Sequence, residues 1–288
     1  MTTIYQALDH ATRTLSHAGQ TNARLEAQIL LRHILHIERS VLYAYPERVL
    51  TPEQEQQFLS FIERRSRGEP IAYLTGHKEF YGLDFLVDKR VLIPRPETEL
   101  LVEAALHTCR HMFDAGRTPI VADIGTGSGI IPVTLAVLEP RLPYLYASDI
   151  SSDALDVAYL NCVSHHVENR IRLLYGDLLA PLPEPIDILT ANLPYVGTDE
   201  LDELTLDVRA FEPHLALFSG PQGLDLLRRF FIELQSSQKL AEGAILFLEI
   251  GYQQREALAS MLQGIWPHAL LTFTKDYACW DRVLQVAL

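Results

Sequence analysis

Val121-Ala-Asp123-Ile-Gly125-Thr-Gly127-Ser-Gly129 is the stretch that decides how this 288-residue chain folds. The apolar run Ile120–Ile124 reads as a short strand, and the glycines after it open a helix that runs to about Leu138. Glycines at that junction permit a tight turn and let the backbone approach a ligand at the end of a strand. Pro132 falls in the first turn of the helix, where a missing N–H costs little. The spacing is Asp-x-Gly-x-Gly-x-Gly, which differs from the dinucleotide pattern Gly-x-Gly-x-x-Gly. Asp123 would repel a pyrophosphate there, but it could attract a cation or accept a hydrogen bond from an amino group.

Outward from this motif the chain alternates helix and strand. Upstream, Glu97–His111 is amphipathic. Downstream, strands are expected at Tyr144–Ser148, Ile171–Tyr175, Ile186–Ala191 and Ala244–Ile250. Helices are expected at Ser152–His165, Gly223–Ser236 and Gln253–Gln263. Two closing strands, Ala269–Thr274 and Arg282–Val286, are joined without a helix and suit an antiparallel edge. Short apolar strands alternating with helices predict an α/β fold whose parallel sheet is covered on both faces. Residues 1–67 differ from the rest. They hold one glycine and carry helical stripes (Ala23, Ala27, Leu30, Leu31 and Ile34; Phe58, Phe61 and Ile62), and Thr51-Pro52 reads as a helix start. Their titratable residues are expected on polar faces. Residues 68–96 are rich in turns, with a hairpin expected around Tyr81-Gly82.

Two further acids end strands: Asp149, where an acid commonly grips ribose hydroxyls, and Asp177, which follows the third strand of the series. Three acids at successive strand ends suit a cationic nucleoside such as S-adenosyl-L-methionine, with its sulfonium, α-ammonium and ribose. A nicotinamide dinucleotide fits them less well. Asn192-Leu193-Pro194-Tyr195 ends the next strand, so it should lie beside the glycine loop. An amide or exocyclic amine has a delocalised lone pair, and a site that alkylates it must hold its N–H hydrogens on acceptors. The side-chain oxygen of Asn192 and a neighbouring main-chain carbonyl, that of Leu193, are suitable. Tyr195 could stack on a planar acceptor. Catalysis would then rest on positioning and exclusion of water, without a strong base.

Taken together, Asp-x-Gly-x-Gly-x-Gly and Asn-x-Pro-Tyr are similar to the motifs of methyltransferases acting on planar amide or amino nitrogens. Ile93-Pro94-Arg95-Pro96-Glu97-Thr98-Glu99 resembles the signature of the HemK/PrmC family, and further matches run from Gly68–Tyr73 to Asp281-Arg282-Val283. The resemblance implies a class I, Rossmann-like, seven-stranded methyltransferase domain over 97–288. Ahead of it would come a helical substrate-recognition domain over 1–67 and a β-hairpin linker over 68–96. It implies methylation, from S-adenosyl-L-methionine, of the glutamine in the Gly-Gly-Gln motif of peptide chain release factors. Asp123, Gly125, Thr126, Gly127, Ser128 and Gly129 would surround the methionine part of the cofactor, Asp149 would hold the ribose, and Asp177 and Leu178 would border the adenine. Asn192 would touch both cofactor and acceptor, with Leu193, Pro194 and Tyr195 shaping the acceptor slot. The chain departs from the family at Leu193, where Asn-Pro-Pro-Tyr is usual, and at Cys279-Trp280. Asn-Leu-Pro-Tyr also occurs in ribosomal RNA adenine dimethyltransferases.

Composition narrows the alternatives. With 24 Lys and Arg against 37 Asp and Glu, the net charge is −13, and residues 1–67 are near neutral. Nucleic-acid binders usually carry a basic footprint, so a methyltransferase acting on adenine in RNA or DNA is the second choice, and a non-catalytic nucleotide-sensing module the third. Three scattered cysteines (Cys109, Cys162 and Cys279), with no Cys-x-x-Cys, point to a reducing compartment. No membrane span or secretory signal is apparent, so a cytoplasmic protein is expected; a monomer without metal is the further expectation. No histidine pair has metal spacing. Ser128 and Ser151 lack the context of a hydrolase nucleophile. For Pro94–Glu99 two roles stay open: a helix start, or a border of the substrate channel through Arg95 or Glu97.

Overall fold

The computed structural model describes all 288 residues and begins with five helices: α1 (Ile4–His17), α2 (Ala23–Leu35), α3 (Arg39–Ala44), α4 (Pro52–Ser66) and α5 (Ile71–Thr75). Helices α1 and α4 start with the same device. The hydroxyls of Thr3 and Thr51 accept the N–H of Gln6 and Gln54, whose side chains accept the threonine N–H in return. Ile4, Ala7, Ala11 and Leu15 of α1 pack against Leu30, Leu31 and Ile34 of α2 and Phe58 and Ile62 of α4, the helical stripes expected to be apolar. One titratable side chain is not on a polar face. Arg65 is buried and donates to both carboxylate oxygens of Glu26, at 2.9 and 3.0 Å, and to the carbonyls of Gly68 and Glu69. A buried guanidinium needs this full set of acceptors.

The remaining elements are β1 (His77–Phe80), β2 (Leu83–Leu86), α6 (Thr98–Asp114), β3 (Val121–Ile124), α7 (Ile130–Leu138), β4 (Leu145–Asp149), α8 (Ser152–Ser164), β5 (Ile171–Tyr175) and β6 (Ile186–Ala191), followed by α9 (Leu206–Phe211), α10 (Asp225–Ser236), β7 (Leu240–Glu249), α11 (Arg255–Ile265), β8 (Leu270–Lys275) and β9 (Asp281–Ala287). Two compact units result: residues 1–77 with 205–211, and residues 78–204 with 212–288. The stretch 68–96 is thus divided between them. It contains the helix α5, which its turn-rich composition hid, and the β1–β2 hairpin. Helix α9 and the 3-10 turns at Thr198–Glu203 and His214–Ala216 were also not legible, being too short to show a period.

The main sheet has seven strands in the order β5-β4-β3-β6-β7-β9-β8. Strands β3 to β7 run parallel, and β9 pairs antiparallel with both β7 and β8, so the last strand lies inside the edge. One face is covered by α6, α7 and the hairpin, through Phe80, Phe85, Leu101, Leu106 and Val133. The other is covered by α10 and α11, through Phe230, Phe231, Leu258 and Leu262. The turn between β8 and β9 forms despite Cys279-Trp280. The Asp276 carboxylate accepts the N–H of Ala278 and Trp280 at 2.9 Å each and pairs with Arg282, while Cys279 takes a left-handed φ of 66°. No helix is long and apolar enough to cross a membrane.

Because the chain leaves β3 toward β4 and β5 and then returns to the other side of β3 at β6, the strand order reverses between β3 and β6. A crevice outside the carboxyl ends of strands forms at such a point.

Candidate active site

The register of β3 against β6 pairs Asp123 with Thr190 and Ile124 with Ala191, so the turns that follow, at Gly125 and Asn192, stand side by side. Gly125 has a φ of +72°, and a Cβ there would lie 3.0 Å from Cδ2 of Leu193. Only glycine satisfies both demands. At Gly129 the φ is +79°, and a Cβ would come within 3.2 Å of the Ala158 Cβ, so that glycine lets α7 and α8 approach. The two turns open into one cavity of about 270 Å³. Gly125, Thr126, Gly127, Ser128, Asp149, Asp177, Leu178, Asn192, Leu193 and Pro194 all line it. Asp123, Gly129 and Tyr195 are not among the lining residues.

Asp123 lies just beneath the loop and is almost fully buried. Its Oδ1 accepts the Thr190 hydroxyl at 2.8 Å, whereas Oδ2 has no partner in the protein. The Thr126 hydroxyl, also buried and without another partner, acts on the same carboxylate, and a cationic donor such as the α-ammonium of S-adenosyl-L-methionine would suit the acceptor capacity left over. Burial, with a smaller push from the nearby Asp149, raises the Asp123 carboxyl to about 7, against hydrogen bonds from Thr126 and Thr190. The shift is upward, so the free protein holds this proton below neutrality, and any stability it contributes fades as the pH rises through 7. An ammonium ligand favours the ionised form, and its binding expels the proton. Calorimetry in buffers of different ionisation enthalpy is expected to show roughly one proton released per cofactor at about pH 6, shrinking at higher pH. Asp123→Asn should abolish the release, and an unchanged proton count in that variant would contradict the assignment.

Asp149, at the end of β4, accepts the N–H of Gly127 at 2.8 Å with Oδ2 and that of Ser151 at 2.9 Å with Oδ1. It therefore ties the glycine loop to the next strand and keeps lone pairs for hydroxyl donors; burial raises its pKa. Asp177 is half exposed at the rim and pairs with Arg229. Leu178 beside it is buried at a φ of +44°, uncommon for a residue with a side chain.

On the other side of the cavity, the Asn192 amide nitrogen donates to Oε2 of Glu249 at 3.0 Å and to the Thr98 hydroxyl at 3.3 Å. The Thr98 hydroxyl donates to the same Oε2 at 2.5 Å, and the Tyr195 hydroxyl donates to Oε1 at 2.9 Å. Tyr195 thus turns its polar end to Glu249 and packs its ring on the core beneath α10 and α11, where burial, with Glu249 beside it, raises its pKa well above the ordinary value. It does not present a stacking face to the cavity; Leu193 and Pro194 form that wall. Of the Pro94–Glu99 residues, Pro94, Arg95 and Thr98 line the cavity. Arg95 is held by the buried Glu212 at 2.5 Å, which also accepts the Ile93 N–H. Glu97 sits at the cap of α6 and is not a lining residue.

Sequence reading passed over Glu249, Thr98 and Asn161. Asn161 of α8 is fully buried and bonds both polar groups of Leu86 in β2 (2.7 and 3.0 Å) and the Ser128 carbonyl (2.8 Å), so it fixes the hairpin to the glycine loop. His165 and His166 lie beyond the end of α8, His165 bonding the Asp84 carbonyl. Burial pushes the Cys109 and Cys162 thiols up to about 12, and no cluster of His, Cys, Asp or Glu could hold a metal ion. No His, Cys or Lys lines the cavity.

The arrangement therefore offers a cradle for a cationic nucleoside beside one outward-facing carboxamide. Comparison with known proteins places the chain in a family. The PrmC N-terminal domain family matches residues 6–76, and the methyltransferase small domain family matches residues 98–207. A release factor glutamine methyltransferase from Moorella thermoacetica is 42% identical over 281 residues, covering 97% of this chain and 96% of the relative. One of the same name from Koribacter versatilis is 42% identical over 253 residues, covering 87% of each. Among solved structures, the hMettl16 catalytic domain, crystallised with an RNA hairpin, aligns with a TM-score of 0.53 at 16% identity and covers 82% of each chain, a likeness of fold alone. The chain belongs to the release factor glutamine methyltransferase family, and is an S-adenosyl-L-methionine-dependent methyltransferase.

Proposed function

We propose that this chain methylates the side-chain amide nitrogen of the glutamine in the Gly-Gly-Gln motif of peptide chain release factors. The observation that carries the reading is the shared cavity: the glycine loop with Asp149 and Asp177 on one side and Asp123 buried beneath it, and Asn192, its amide nitrogen already engaged, on the other. S-adenosyl-L-methionine, when bound, supplies an electrophilic methyl group. Asp123, through its unpartnered Oδ2, would hold the ammonium, and Asp149 the ribose hydroxyls. Asn192 Oδ1 would accept an N–H of the acceptor carboxamide and so turn the nitrogen lone pair toward the methyl. Leu193 and Pro194 exclude water around it. An amide nitrogen loses its proton readily once alkylated, which suits a wall without imidazole or thiol. Orientation rather than basicity then carries the rate.

The helical domain is assigned to holding the release factor. A cytoplasmic monomer that binds no nucleic acid completes the reading, the last point supported by the net charge of −13. The competing acceptor, an adenine amine in RNA or DNA, presents the same kind of nitrogen. Incubation with methyl-labelled cofactor and either release factor or ribosomal RNA separates the two. Label on the release factor is the expected result, and label on RNA alone would overturn the proposal.

A further inference from the structure

Glu249 is the last residue of β7 and is 1% exposed, yet no Lys or Arg hydrogen-bonds it. Three neutral donors converge on its carboxylate instead: the Thr98 hydroxyl and the Asn192 amide on Oε2, and the Tyr195 hydroxyl on Oε1. A buried carboxylate with no hydrogen-bonded cation is costly, and only its three donors and the field of Arg282 offset that cost. The three bonds order the acceptor side of the cavity. An ionised carboxylate only accepts, so every neighbour must aim a donor at it. The Asn192 carboxamide could otherwise turn over by half a rotation at little cost, presenting its NH₂ to the cavity and opposing a substrate N–H with another donor. With NH₂ committed to Glu249 and Thr98, Oδ1 is the end left for the acceptor, and no protein group bonds it.

Resting on the functional reading above, we propose that Glu249 and Thr98 are positioning residues that fix the Asn192 carboxamide with its oxygen toward the methyl acceptor. Through Tyr195, the same carboxylate also holds the far end of the Asn192–Tyr195 turn. The charged and titratable groups facing it are Glu97 at the cap of α6, Arg282 on β9 and Tyr195 itself. Burial, the largest influence, and Glu97 raise its pKa, while the Thr98 and Tyr195 hydrogen bonds and Arg282 favour the ionised form.

The test is a set of variants assayed on whichever acceptor the wild-type protein labels. Glu249→Leu is expected to lower kcat by about 100-fold, the scale of a misoriented reacting group, with cofactor affinity and acceptor KM little changed. Glu249→Gln should recover most of that loss, because its oxygen can take the place of Oε2 while its NH₂ faces the Tyr195 oxygen. In an Asn192→Ala background Glu249→Leu should cost far less than its loss of about 100-fold in the wild type, leaving only the part that passes through Tyr195, since a residue that acts through another is non-additive with it. Should Glu249→Leu fail to fold, Thr98→Val carries the same test, with a loss of about tenfold restored by Thr98→Ser. A readout independent of acceptor comes from ¹⁵N-labelled protein: the Asn192 Nδ2 protons should exchange slowly in the wild type and fast in Glu249→Leu or Thr98→Val. Additive losses in the double variant, a Gln variant as impaired as the Leu variant, or unaltered amide exchange would each overturn the proposal. Label on RNA instead of release factor would overturn the functional reading but leave these comparisons intact.

Discussion

Asn192→Ala is expected to lower kcat by about 10²- to 10³-fold, the cost of removing one preorganised group from the reacting centre, while cofactor affinity changes little. The asymmetry follows from geometry. The Asn192 side chain spends its nitrogen on Glu249 and Thr98, and its oxygen is the group left for an acceptor N–H. The cofactor side of the cavity is built by other residues: the loop after β3 and Asp149, with Asp123 buried beneath the loop. Steady-state kinetics at saturating cofactor and calorimetric titration of the cofactor check the two halves separately. Comparable losses in kcat and in cofactor affinity would mean that Asn192 serves the cofactor rather than the acceptor.

Asp149→Ala should do the reverse. Its carboxylate accepts Gly127 and Ser151 N–H groups at 2.8 and 2.9 Å, so the variant loses two internal bonds as well as the bonds proposed to the ribose hydroxyls. Hydrogen bonds to charged groups contribute about 1.5–3 kcal/mol each. Loss of the ribose contacts with a loosened loop therefore predicts cofactor binding weaker by about 100-fold or more. At saturating cofactor, kcat should stay within roughly tenfold of the wild type, because the acceptor wall is untouched. Unchanged affinity would refute the assignment of Asp149.

The parts of this site that were legible in the sequence are those that local spacing encodes. The strand, the glycine loop, the acids at the strand ends and Asn192-Leu193-Pro194 are contiguous signals, and a parallel sheet brings successive strand ends together by its topology. The missed residues act across the fold. Thr98 and Glu249 are 151 positions apart, Asn192 and Glu249 are 57, and Asn161 and Leu86 are 75. In the sequence Thr98 and Glu249 each lay within a stretch that resembles the family, but no role was assigned to either side chain. The two stretches are separate motifs, and neither marks Thr98 and Glu249 as partners; the pairing exists only once α6 and β7 pack together. Tyr195 shows the complementary error. Its place beside the turn was legible, but its direction was not, because the donor-seeking carboxylate that claims its hydroxyl comes from a different strand. Leu193, the departure from Asn-Pro-Pro-Tyr, packs against Gly125, so an apolar side chain of the right reach fills that place without the ring.

The central claim is that the turns at Gly125 and Asn192 deliver a methyl group to a glutamine carboxamide. It is tested most directly by incubating the protein with a release factor and cofactor carrying a deuterated methyl, then sequencing the peptides by tandem mass spectrometry. One labelled methyl on the side-chain nitrogen of the glutamine in Gly-Gly-Gln is predicted, with an initial rate of labelling about 10²- to 10³-fold lower after Asn192→Ala. A label on any other residue, or an equal rate from that variant, would contradict the account.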